Sequence, residues 1–185
     1  MKRILDVSLS LIGVLILLPV IFLISILIKI TSKGPIIFKQ KRVGRYSKEF
    51  YIFKFRTMRA DTPNVATKDL KGESYLTPIG GFLRRTSLDE IPQLFNVIKG
   101  DMSLVGPRPI IKKEEKLIKL RSEKKVDTIL PGITGWAQIN GRDNLSIEEK
   151  VSLDEEYMLD NNLFKDIKIL IATVFKVIKR EGILY

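Results

Sequence analysis

Two adjacent carboxylates, Asp89 and Glu90, follow two arginines in the run Arg84-Arg85-Thr86-Ser87-Leu88-Asp89-Glu90-Ile91-Pro92-Gln93. Guanidinium groups beside such a pair suit an anion. Proline is best tolerated in a first helical turn, so Pro92 places the pair near a helix start, which beside arginines makes an anion site. Capping alone would explain part of the string, because Ser87 and Glu90 fit the S-x-x-E box and acids favour helix N-termini. Composition narrows the alternatives. The 185-residue chain has no Cys and no His. That removes disulfides, thiolate nucleophiles, the usual zinc sites and any Ser-His-Asp arrangement. An acid, base or nucleophile must come from Asp, Glu, Lys, Ser, Thr or Tyr. A catalytic cation must sit on oxygen ligands, which suits Mg²⁺.

Three further clusters carry polar side chains in stiff or compact settings. In Gly106-Pro107-Arg108-Pro109 two prolines restrict the backbone around one arginine, a pre-positioned fork for a phosphate or, equally, a rigid surface turn. In Phe53-Lys54-Phe55-Arg56-Thr57-Met58, strand alternation puts Lys54 and Arg56 on one face and the phenylalanines on the other. A half-buried edge strand with a solvated basic face gives the same pattern. Residues 131–143, PGITGWAQINGRD, combine three glycines, the only Trp, Gln138 and Arg142. Such a loop suits stacking and hydrogen bonding to a base or sugar, or a glycine-rich connection with Trp136 as a core plug.

The elements that must position these residues divide the chain in two. Residues 4–28 contain one charge, Asp6, and Val7 to Ile28 contain none. A straight helix of that length reaches about 37 Å, enough to cross a bilayer. Pro19 interrupts it; broken there, the first arm reaches about 22 Å and the segment can return to the face it entered. Lys2 and Arg3 before it and Lys29 and Lys33 after it give little orientation bias. From Gly34 the composition changes. Residues 36–44 and 49–58 read as a β-hairpin with its turn near Gly44–Lys48. A polar loop over 59–78 follows, then a mostly helical stretch over 79–100, a turn-rich connection over 101–111 and a charged helix over 112–127. The 131–143 segment reads as irregular or β-like, and 146–160 as helix. The amphipathic, basic stretch 164–180 reads as a helix either lying on an anionic membrane or packed on the core. Lys plus Arg number 32 against 21 Asp plus Glu, a net +11 that asks for an anionic partner.

Taken in order, KFRTM, SLDEIPQLFNVIKGDMSLVGPRP and PGITGWAQINGR resemble the bacterial sugar transferase family, the monotopic phosphoglycosyl transferases, from about Lys2 to Lys179. The resemblance is to its small members and implies an α+β architecture. Residues 1–33 would form a re-entrant helix-break-helix anchor, with Leu18-Pro19 where the family usually has Ser-Pro. Residues 34–185 would form a cytoplasmic catalytic domain with a short hairpin and interface helices. It implies transfer of a sugar 1-phosphate from a UDP-sugar to polyprenol (undecaprenyl) phosphate at the cytoplasmic face of the bacterial inner membrane. UMP departs, and Asp89 carries an aspartyl phospho-sugar in between. Mg²⁺ would lie at Asp89 and Glu90, with Glu90 also assisting in proton handling. Arg84 and Arg108 match phosphate-contacting positions. Lys54 and Arg56 lie in the matched basic motif, and Gln138 and Arg142 in one placed near the nucleotide. Downstream glycosyltransferases are the expected protein partners. A nucleic-acid-binding protein would also be basic but has no use for the long uncharged segment. A non-catalytic membrane scaffold would not need the intact carboxylate pair.

Overall fold

The computed structural model describes residues 1–62, 75–141 and 144–179. The apolar segment forms one helix, α1 (Lys2–Thr31), which runs through Pro19, so the helix-break-helix expected at Leu18-Pro19 is not seen. Its apolar side chains face two ways. Ile24 and Ile28 are buried with Phe55 and Leu83, whereas Leu15, Ile16, Leu18, Phe22 and Leu23 stand more than half exposed. Both ends of α1 are tied to the same folded body. At the start, Arg3 donates to the carbonyls of Ile98 and Met102, and Lys2 pairs with Asp166 at 2.5 Å. Asp6, the one charge in the apolar run, accepts from Ser103 Oγ at 2.8 Å and from the Leu104 amide at 3.2 Å. Its burial is therefore compensated by hydrogen bonds. At the far end, Ser32 and Lys33 meet Arg56.

The hairpin is present as expected: β1 (Ile37–Val43) and β2 (Glu49–Phe55) pair antiparallel around a short 3₁₀ turn at Arg45–Ser47. The register sets Phe38 opposite Lys54, Gln40 opposite Ile52 and Arg42 opposite Phe50, so all six side chains share one face. Beyond it, Met58 bridges Leu76, closing a loop whose residues 63–74 lie outside the described residues.

The stretch expected to be mostly helical is divided into α2 (Gly80–Arg85), a 3₁₀ turn at Leu88–Glu90 and α3 (Gln93–Lys99). Ser87, at φ 55°, breaks the path between them. Its side chain makes no cap hydrogen bond, so the S-x-x-E pattern there is not a capping box. A capping box does form at Ser146 with Glu149, at the start of α6 (Ile147–Leu159).

Two strands arise, one in the stretch read as turn-rich (101–111) and one in the stretch read as irregular or β-like (131–143). β3 (Ser103–Val105) and β4 (Gly132–Thr134) pair in parallel. Glycine makes this approach feasible: a Cβ on Gly132 would lie 2.1 Å from the Gly106 amide nitrogen. After β4 come α5 (Trp136–Ile139) and α6; α4 (Glu115–Glu123) precedes it, and α7 (Leu163–Lys179) closes the described chain. The buried pair Arg121–Asp154, at 2.6 Å, ties α4 to α6. Trp136 packs beside Val105, Tyr157 and Ile169 with Lys165 and Lys168 over its ring, which is the core-plug arrangement.

Candidate active site

Asp89 and Glu90 sit in the 3₁₀ turn between α2 and α3 because that turn is pinned from below. Leu88 and Ile91, on either side of the pair, pack on Ile24, Ile28, Phe55 and Leu83, so the membrane-type helix itself supports the carboxylates. Asp89 is 8% exposed. Burial pushes its carboxyl up to about 6 from 3.8, and Glu90 adds to the rise; Lys54 and Arg84 oppose it. The carboxylate is therefore mainly ionised at neutral pH yet poorly solvated.

Cations converge on this pair from three elements. Lys54, on β2, donates to Glu90 Oε1 at 2.6 Å. Arg84, at the end of α2, donates to Thr57 Oγ1 at 3.0 Å and lies within electrostatic reach of Asp89; burial lowers its own pKa. Arg108, on the Gly106–Pro109 loop, has Nη1 3.9 Å from Glu90 Oε1 and remains 40% exposed. The loop is held from behind: Arg121, fixed by Asp154, donates to the Arg108 carbonyl at 2.8 Å. Arg108 is therefore aimed by its own carbonyl as well as by its prolines.

Gln138 joins the same site from α5. Its amide nitrogen lies 3.4 Å from the Gly106 carbonyl, and its Oε1 is buried without a partner among the described residues. A groove of about 330 Å³ reaches Glu90, Arg108 and Gln138 of these groups. One end carries Glu90, Arg108, Ser87 and Gln138. Its walls are Leu17 of α1, Ile91, Leu94, Ile133, Ile139 and Val177, and Lys176 of α7 also borders it. Charged groups at one end and aliphatic walls reaching the apolar helix suit an amphiphilic ligand.

Two of the sequence-selected residues are not brought here. Arg56 is 4% exposed and turned toward the end of α1, where it donates to the Ser32 and Lys33 carbonyls and to Ser32 Oγ at 2.6 Å. Gly34, at φ 120°, is required for this contact, since a Cβ there would lie 2.1 Å from Arg56 Nη1. Arg56 thus binds backbone at the junction and has no place beside the carboxylates. The physical reason is that β2 ends at Phe55, so the alternation that pairs Arg56 with Lys54 no longer holds. Arg142 lies outside the described residues.

One arginine was not singled out from the sequence. Arg42, on β1, lies within electrostatic reach of Arg108, Glu114 and Glu90. The hairpin register gives the signal: with the turn centred on Arg45–Ser47, Arg42 shares a face with Lys54.

A family model described as bacterial sugar transferase matches residues 1–180. An uncharacterized sugar transferase EpsL of Bacillus subtilis is 43% identical over 99% of this chain and 90% of its own length. A UDP-glucose:undecaprenyl-phosphate glucose-1-phosphate transferase of Escherichia coli is 40% identical over 95% of this chain. An undecaprenyl-phosphate galactose phosphotransferase of Salmonella typhimurium is 39% identical over 98% of it. The chain spans about two fifths of the length of these last two relatives, 40% and 41%.

Proposed function

The chain belongs to the bacterial sugar transferase family, and on that premise we propose that it moves a sugar 1-phosphate from a UDP-sugar to undecaprenyl phosphate through a phosphorylated Asp89. The observation that carries this reading is the groove. It brings Glu90, the neighbour of Asp89, and Arg108 together with aliphatic walls that include Leu17 of the apolar helix, while Lys54 pairs with Glu90 from outside the lining. A water-soluble donor and a lipid acceptor need that combination, and relatives bear names with both substrate classes.

The reaction is two displacements at one phosphorus. An Asp89 oxygen attacks the sugar-bearing phosphorus, the bond to the bridging oxygen breaks, and UMP leaves with the electron pair. An oxygen of undecaprenyl phosphate then attacks the same phosphorus. The bond to Asp89 breaks, releasing the free carboxylate and undecaprenyl diphosphate sugar. Splitting the transfer lets the two unlike substrates meet the nucleophile in turn. Poor solvation of Asp89 favours its reactivity, and Arg84, Lys54 and Arg108 offset charge on the phosphoryl oxygens. Arg108 and Gln138 face the groove, where the lipid phosphate would arrive.

Asp89 and Glu90 also suit Mg²⁺. No group of three or more His, Cys, Asp or Glu that could hold a metal occurs among the described residues. Mg²⁺ is commonly held by one or two carboxylates completed by substrate phosphates and water, so two carboxylates meet its requirement. When bound, it would neutralise diphosphate charge. Glu90 would divide its role between that cation and the Lys54 ammonium.

The anchor (residues 1–33) would enter and leave the cytoplasmic leaflet of the inner membrane, leaving the catalytic domain (34–185) on its cytoplasmic face. What supports this is the docking of both ends of α1 on one body, Arg3 and Asp6 at one end and Ser32 at the other. Glycosyltransferases that extend the lipid-linked sugar would follow. The test is UMP release in detergent with a panel of UDP-sugars. Release coupled to formation of undecaprenyl diphosphate sugar supports the reading; no release with any donor, or equal lipid product without Asp89, contradicts it.

A further inference from the structure

Arg42 is placed where an arginine is costly unless an anion joins it. Its guanidinium is half-buried on the face of the hairpin that also carries Lys54. Its hydrogen bond is to a neutral group, Gln40 Oε1, at 2.6 Å, and its Nε is buried without a partner among the described residues. Glu114 and Glu90 favour its charge electrostatically, but neither forms an ion pair with it among the described residues. Arg108, a second cation, lies close enough to perturb it: burial first, and then Arg108, bring Arg42 down to about 10. Like charges facing each other in a partly desolvated setting repel, and a shared anion removes that repulsion.

The charges also have an order. Arg84 faces Asp89, Lys54 faces both carboxylates, Arg108 faces Glu90, and Arg42 lies near Arg108 and Glu90 without acting on Asp89. The aliphatic groove is bordered by Arg108 and not by Arg42. Arg42 therefore lies within electrostatic reach of Arg108 and Glu90, does not register on Asp89, and stands outside the lining of the aliphatic groove. A diphosphate donor has use for a cation placed so, because its second phosphate must lie beyond the one under attack.

We propose that Arg42, with Arg108, binds the nucleotide-side phosphate of the donor and holds the departing nucleoside monophosphate. The ligand's identity rests on the transfer reaction proposed above; the anion site itself rests on the placement of Arg42. Arg42 is then a binding residue for donor and leaving group and has no role toward the lipid phosphate.

The test is calorimetric titration of UMP into wild type, Arg42→Gln and Arg42→Lys in detergent, with a thermal melt of each and the KM for undecaprenyl phosphate. Arg42→Gln is expected to weaken UMP binding by about tenfold or more, and Arg42→Lys to restore only part of it. The lipid KM should not change. Wild-type UMP affinity in both variants overturns the proposal, as does absence of UMP binding to the wild type. A raised lipid KM with UMP affinity intact also overturns it and assigns Arg42 to the acceptor. Should Arg42→Gln melt much earlier, Arg42→Lys decides alone: full UMP affinity there contradicts the need for a planar fork. Wild type that binds UMP through Arg42 yet turns over no UDP-sugar would sink the reaction and leave this site standing. Turnover with Arg42-independent UMP binding would do the reverse.

Discussion

Lys54 and Arg56 stand two residues apart, and their nitrogens end in opposite settings. Lys54 meets the Glu90 carboxylate at the mouth of a groove. Arg56 meets backbone carbonyls at the end of α1 in a setting that leaves it 4% exposed. The same division separates the larger regions. Around the carboxylates, cations face acids and open volume; along the anchor junction, Lys2 and Arg3 are bound by Asp166 and carbonyls, and both Nη atoms of Arg56 bind Ser32 and Lys33, its Nε alone lacking a partner among the described residues. A cation whose hydrogen bonds close on backbone contributes to architecture. One left beside carboxylates and space is available to a ligand. Residue type and motif membership do not separate the two, whereas the partners do.

The sharpest way to break this comparison is at the carboxylates. Asp89→Asn should lower turnover by about 10³-fold or more, since an amide cannot form the acyl phosphate. At the junction the expected loss is in folding instead. Arg56→Ala should cost about 3 kcal/mol or more of stability by leaving carbonyls of Ser32 and Lys33 without their donor, read as a lowered melting temperature. Its kcat at a temperature where it remains folded should stay near wild type. A large kcat loss at unchanged melting temperature would put Arg56 back among the binding residues. Arg108→Ala should show the converse: unchanged melting, and a loss of roughly 1.5–3 kcal/mol in kcat/KM, with Arg108→Lys intermediate. Wild-type rates with both substrates would remove the Gly106–Pro109 loop from the site.

The titration of Asp89 joins activity to stability. Its folded pKa, about 6, is raised above 3.8. Protonated Asp89 therefore favours the fold below about pH 3.8, and that contribution is lost as pH rises through about 6. At pH 8 the buried charge costs up to about 3 kcal/mol. Asp89→Asn should then melt higher than wild type at pH 8, with the gap closing below pH 4. Turnover, which needs the ionised form, should fall on the acid side of about pH 6. A variant no more stable than wild type at pH 8 would show that burial does not strain this carboxylate.

How far the sequence reaches follows the same physics. The hairpin was legible because alternation and turn residues are local, and so was the apolar segment, although α1 runs through Pro19 without the expected break. The 3₁₀ turn carrying Asp89 was not legible, because it depends on Leu88 and Ile91 finding Ile24 and Ile28, which are distant in sequence. β3 and its pairing with β4 escaped for a related reason: three-residue parallel strands carry almost no periodicity, and their pairing depends on Gly106 and Gly132 meeting. Within the site, Asp89, Glu90, Arg84, Arg108 and Lys54 were found by type and motif. Gln138 was found with them, although its link to the Gly106 carbonyl is tertiary. Arg42 was missed because its neighbours come from another loop, and Arg56 was misplaced because strand alternation was carried one residue past the strand's end.

The central claim is that Asp89 becomes covalently loaded before the lipid arrives. Intact mass spectrometry of wild type and Asp89→Asn, each incubated with the accepted UDP-sugar and Mg²⁺ but no lipid, tests it most directly. The account predicts a mass increase of one phospho-sugar on the wild type, discharged when undecaprenyl phosphate is added, and none on Asp89→Asn. An adduct of equal yield on the Asn variant, or lipid product formed by a wild type that never carries an adduct, would contradict it.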